Sequence, residues 1–147
     1  MLWHKIQGAG SVGGDANLLL NSNPFSGTSN WTNVNSAISE SGGVLAVNDN
    51  GAFGGAQQAV AVTSGNSYRL TGTMYTDGTS GQNAIMGIKH GDRANIAEGN
   101  DQAVNNTTTT PTELSFDFTA TQSFVTVKLL SVSDNISYFR DVTLVEI

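Results

Sequence analysis

From Asn17 onward the chain is divided into short runs, none longer than ten residues, in which apolar and polar side chains alternate and between which turn-forming residues cluster. The runs are Asn17–Leu20, Gly43–Val47, Gln57–Val62, Ser67–Tyr75, Ala84–His90, Leu114–Thr119, Ser123–Val132 and Tyr138–Val145. In the fourth, Tyr68, Leu70, Gly72 and Met74 fall on one face of a strand and Arg69, Thr71, Thr73 and Tyr75 on the other. Val125, Val127 and Leu129 alternate in the same way with Thr126, Lys128 and Leu130. Between the runs stand Asn48-Asp49-Asn50-Gly51, Thr63-Ser64-Gly65-Asn66 and the stretch from Asp77 to Gly81, residues that tolerate positive φ or bond their own backbone. Eight strands at this spacing predict an all-β, antiparallel sandwich or barrel. Residues 91–112 lack such a period and read as a long loop with one helical turn around Ala94–Glu98.

The first sixteen residues differ. Leu2, Trp3 and Ile6 precede the tract Gly8-Ala9-Gly10-Ser11-Val12-Gly13-Gly14, too rich in glycine to pack a core of its own. The division is therefore an extended N-terminal arm, 1–16, and one domain, 17–147. Leu2, His4 and Ile6 alternate with Trp3 and Lys5, which suits a strand that pairs with an exposed edge of another subunit; the other reading is a strand folded back onto its own domain. Six residues with one Lys do not make a membrane-binding helix. The opening lacks the apolar stretch of a secretory signal, so synthesis in the cytoplasm without export by that route is expected.

Composition narrows the function. Six Lys and Arg against twelve Asp and Glu give a net charge of −6, which leaves no basic surface for nucleic acid. Cysteine is absent, so thiolate catalysis and disulfides are excluded. No G-x-S-x-G, H-E-x-x-H or phosphate-cradling glycine loop occurs, so no catalytic residues, metal or cofactor are expected. The cluster His90-Gly91-Asp92-Arg93 reads either as a ligand-facing polar corner or as a solvated turn.

Four segments in order carry a resemblance. Asn17-Leu18-Leu19-Leu20-Asn21 runs on to Pro24-Phe25 and is followed by Trp31-Thr32. Then come Gln57–Leu70 with Gly65 and Tyr68, Phe116-Asp117-Phe118-Thr119-Ala120, and Tyr138-Phe139-Arg140-Asp141-Val142-Thr143-Leu144. Together they resemble the jelly-roll carbohydrate-binding modules of families 4, 9 and 22, over residues 17–147. The resemblance implies an antiparallel jelly-roll β-sandwich. It also implies a structural calcium held by two acids, but Ser26 and Arg140 stand at their places, and strand parity puts Asp141 on the opposite face from Arg140. Trp31 reads either as a sugar-stacking ring or as a core residue covering the sandwich. The arm resembles the openings of bacteriophage tail and capsid proteins.

The functional expectation is a non-catalytic structural and adhesive protein of a phage particle, a decoration or tail component on the virion surface. It would be joined to other virion proteins or to its own copies through Leu2, Trp3 and Ile6, with cell-surface glycans as a further partner. The alternative is a carbohydrate-binding module of a polysaccharide-degrading system. The expected ligand residues are Tyr75 as a stacking platform, with Arg69, Lys128, Lys89 and Asn83 as hydrogen-bond donors.

Overall fold

A computed structural model of the chain describes residues 16–51, 53–79, 81–92 and 99–147. The arm residues Leu2, Trp3 and Ile6 and the expected helical turn lie outside these. The described chain contains ten strands: β1 (Thr32–Val34), β2 (Ser36–Ser41), β3 (Val44–Asp49), β4 (Phe53–Ala61), β5 (Ser67–Thr76), β6 (Asn83–His90), β7 (Gln102–Asn106), β8 (Thr112–Thr119), β9 (Phe124–Val132) and β10 (Ile136–Glu146). They form two five-stranded antiparallel sheets with orders β1-β4-β9-β6-β7 and β2-β3-β10-β5-β8. Successive long strands thus change sheet, and the two sheets stack as a jelly-roll β-sandwich.

Alternation decides what the sandwich buries. The expected inward set Tyr68, Leu70, Gly72 and Met74 is buried, as are Val125, Val127 and Leu129 from the first sheet and Phe139, Val142 and Leu144 from the second. Each fully buried large apolar side chain contributes about 1.5–3 kcal/mol, which makes this shared layer the main source of stability. In β10 the period would fail after Arg140 but for a bulge: Arg140 pairs with Thr73 and Thr143 with Thr71, one extra residue being absorbed at Asp141, whose φ is 53°. The bulge keeps Val142 and Leu144 inward. It also leaves Arg140 and Asp141 both exposed, their side chains 3.9 Å apart, where simple parity separates them onto opposite faces.

Other expectations also need correction. Asn17–Leu20 is not a strand. It lies along β10, where β3 pairs only with residues 136–139, and the side chain of Asn17 substitutes for a backbone partner. Its Oδ1 accepts from Leu144 N–H (2.9 Å) and Leu19 N–H (3.1 Å), while Leu18 N–H donates to Leu144 O (2.8 Å) and Val142 N–H to Ser22 O (2.9 Å). β1, β2 and β7 were not expected; β7 lies inside the stretch read as a loop, because an edge strand such as Gln102-Ala103-Val104-Asn105-Asn106 buries too little to need alternation. Trp31 is core: it is 6% exposed, packs on Phe25 at 5.7 Å and donates from Nε1 to Asn21 O at 2.9 Å. A sugar has no access to its face.

The residues present do not fit the calcium implied by the resemblance. Ser26 is tied through its N–H to Asn21 Oδ1, Arg140 brings a cation, and no three acids or histidines cluster among the described residues. EDTA is accordingly expected to leave the melting temperature unchanged; a drop of several degrees restored by calcium would refute this.

Candidate functional site

Directly paired residues of antiparallel strands point to the same side, so the register defines the outer face of the first sheet. One line across it is Thr32 (β1), Gln57 (β4), Lys128 (β9), Gly87 (β6) and Ala103 (β7). Beside it lie Ala59, Thr126 and Lys89. The middle of this outward face is nevertheless buried: Thr126 and Lys128 are 0% exposed and Leu130 1%. The described ends of the β6–β7 connection lie here. Thr126 Oγ1 donates to Gly91 O at 2.8 Å, and Gly91 N–H to Phe124 O at 2.8 Å. At the other end Asn100 sits over Gly87, where a Cβ would meet its amide group at 2.7 Å.

What stays open is the flank nearest β1. A cleft of about 380 Å³ is lined by Leu20, Asn30, Thr32, Gln57, Gln58, Ala59 and Asp92. Gln58 points inward, and its amide fixes the rim: Leu20 N–H donates to its Oε1 at 2.8 Å, and its Nε2 donates to Leu20 O at 3.0 Å. Leu20 is thereby held 59% exposed beside a floor of amides and hydroxyls. Asp92 is exposed and is the one charged group among the described lining residues.

The expected ligand residues divide between two opposite faces. Lys128, Lys89 and Asn83 all point outward from the first sheet, but Lys128 is wholly buried, Lys89 Nζ donates to Asp101 Oδ1 at 3.0 Å, and Asn83 Oδ1 accepts from Asn105 at 3.0 Å. Tyr75 and Arg69 belong to the second sheet. Tyr75 is half-buried and stacks on Tyr138 at 4.8 Å and 18°, and Arg69 forms a two-pronged pair with Asp117 at 2.6 and 2.8 Å. The structure therefore does not bring Tyr75 and Arg69 together with Lys128. The cleft residues Asn30, Thr32, Gln57 and Leu20 were not singled out as ligands; Asp92 was present only as part of the polar corner after His90.

Several carboxylates around the sandwich are held in their charged form. Burial pushes Asp101 up, but hydrogen bonds from His90 N–H (2.7 Å) and Lys89 outweigh it, and the carboxyl lies below its usual range. Arg69 lowers Asp117, and the N–H groups of Gly27 and Gly43 lower Glu40. A folded-state pKa below the unfolded one stabilises the fold above the ordinary carboxylate pKa, and that contribution is lost as pH falls through the lowered value. Calorimetry should show a melting temperature steady from neutral pH down to about 5 and falling below about 4. A rise on acidification would contradict these assignments.

The fold is a jelly-roll β-sandwich like that of carbohydrate-binding modules. A structure of a family 4 carbohydrate-binding module matches 93% of this chain and 98% of its own, with 13% identity and a TM-score of 0.63. The family 22 and family 10 hydrolase modules of Clostridium thermocellum endo-1,4-beta-D-xylanase 10B, complexed with xylohexaose, match 90% of this chain at 16% identity and a TM-score of 0.68; this chain spans 29% of that one. The enzymatically active domain of tailspike protein 4 of bacteriophage CBA120 matches 89% of this chain at 14% identity and a TM-score of 0.60, over 21% of its own length. No protein-family model and no curated protein sequence matches the chain.

Proposed function

We propose that this chain is a non-catalytic glycan-binding module and that the cleft beside β1 is its binding site. The observation that carries the reading is the lining: Asn30 and Thr32 offer exposed amide and hydroxyl groups above a floor that includes Gln57, Asp92 offers a carboxylate acceptor, and Leu20 an apolar lip. A sugar ring presents the complementary set, hydroxyls around its edge and C–H groups on its faces. The likeness to carbohydrate-binding modules supports the same reading.

A second reading, an adhesive component of a phage particle, draws support from the likeness to the tailspike domain. It places the same cleft on a virion surface, with the arm as the attachment, and many copies would raise avidity. The two readings share one test. A multivalent form of the protein on a glycan array should bind a defined glycan group, and free oligosaccharide of that group should compete. Absence of any bound glycan would reject both.

A further inference from the structure

We propose that Asn50 is a site of spontaneous covalent modification, at which its side chain closes on the main-chain nitrogen of Gly51 and water opens the ring to aspartate and isoaspartate. The proposal is independent of the glycan reading. In the closing step the Gly51 nitrogen attacks the side-chain carbonyl carbon of Asn50, a C–N bond forms, and the amide nitrogen leaves as ammonia with the Gly51 proton. Water then adds to one of the two carbonyls of the five-membered succinimide. Opening at one carbonyl gives aspartate; opening at the other routes the main chain through the side-chain carbon as isoaspartate.

The attack needs a nitrogen with no Cβ crowding it and two groups that are not tied elsewhere. Asn50 is the one asparagine of the chain followed by glycine. Both residues are exposed, in the turn between β3 and β4, and Gly51 has a φ of 116°. Asn50 is held by its own N–H, which donates to Asn35 O at 3.2 Å; its side-chain amide and the Gly51 N–H make no hydrogen bond among the described residues.

Competing positions are restrained. Asp77 also precedes a glycine, but Gly78 N–H donates to Gln82 Oε1 at 3.0 Å, and the Asp77 carboxylate accepts from Thr79 N–H, the Thr79 hydroxyl, the Gln82 amide and Ile136 N–H. Three asparagines precede serine, the next smallest neighbour. Asn21 donates to Ser29 O at 2.8 Å and accepts from Ser26 N–H, Asn66 donates to Glu146 Oε1 at 2.8 Å, and Asn35 precedes Ser36, which is paired with Asp49 in the β2–β3 ladder.

The product disturbs this end of the sandwich. A new carboxylate appears beside Asp49, which is 3% exposed, and near Asp134, whose Oδ1 lies 3.9 Å from where a Cβ on Gly51 would stand. Isoaspartate also adds one carbon to the main chain just after the N–H bonded to Asn35 O.

The test holds the full chain in warm, mildly alkaline buffer, folded and in parallel unfolded in guanidinium chloride, and maps the peptides by mass spectrometry with fragmentation. The expected result in the folded protein is a gain of about 1 Da at residue 50, or about 3 Da in water labelled with oxygen-18, at a rate within about tenfold of the unfolded chain. Isoaspartate at residue 77 should form in the unfolded chain alone. Asn50→Gln, which would need a six-membered ring, should gain no mass at residue 50, and the modified wild type should melt a few degrees lower than fresh protein. A folded chain that gains mass first at Asn21, Asn35 or Asn66, or that reacts at residue 50 more than about tenfold more slowly than the unfolded chain, would overturn the proposal. Unchanged melting of the modified protein would overturn its consequence for the turn.

Discussion

Gly54→Ala is expected to cost about 3 kcal/mol of stability and to lower the melting temperature by roughly 10 °C, although it adds a single methyl group. Gly54 lies in β4 where the chain crosses between sheets from β1 to β2 at Asn35, a residue with a φ of 51°. A Cβ on Gly54 would press on the Asn35 carbonyl, 2.9 Å from its carbon and 2.9 Å from Ser36 Cβ. Neither is the flexible end of a side chain. The same carbonyl accepts Asn50 N–H at 3.2 Å, and Ser36 Oγ donates to Gly55 O at 2.9 Å, so moving the crossover to make room breaks bonds on both sides of it. Thermal unfolding of the variant measures this directly; a melting temperature within a degree or two of wild type would show that the crossover yields freely.

The second large effect is on binding. Removing a hydrogen bond to a charged group costs about 1.5–3 kcal/mol, so Asp92→Ala should weaken glycan affinity about tenfold or more. Thr32→Val, which keeps the shape and removes one hydroxyl, should weaken it about fivefold. Both residues are exposed in the structure, so the melting temperature should stay near that of wild type. Tyr75→Ala should do the reverse: it loses the stack on Tyr138, worth about 0.5–1.5 kcal/mol, and leaves binding unchanged. Titration and melting of the three variants together separate a site beside β1 from one on the second sheet.

How much of this was legible in the sequence depends on which physical constraint wrote it. The inward face of β5 was readable because Tyr68, Leu70 and Met74 must alternate with polar neighbours to bury one side of a strand. The conformation of residues 17–22 was not, because there the side chain of Asn17 takes the part of a backbone group and leaves no period behind. β7 was hidden for a related reason: four of its five residues are exposed or half-exposed, and an edge strand is held by pairing to β6 rather than by hydrophobic pattern.

The site was harder still. Parity assigns a side chain to one of two faces of its own strand, but says nothing about which sheet the strand joins. Arg69 and Tyr75 in β5 and Lys128 in β9 were therefore placed on one surface, whereas the strand orders put them on opposite sides of the sandwich. The residues that line the cleft come from a turn, the three-residue strand β1, the middle of β4 and the start of a loop. Only the closing of the fold brings Asn30, Thr32, Gln57 and Asp92 together. Gln57 and Gln58 are neighbours in β4, and strand parity splits them: one amide faces the cleft and the other pins Leu20.

The most direct test of the central claim is a titration of isotopically labelled protein, followed by amide chemical shifts, with the oligosaccharide selected by the array. The account predicts progressive shifts at Leu20, Asn30, Thr32, Gln57, Ala59 and Asp92, with Arg69, Thr73, Tyr75 and Tyr138 unmoved. Shifts centred on Tyr75 and Tyr138, with the β1 flank silent, would contradict it.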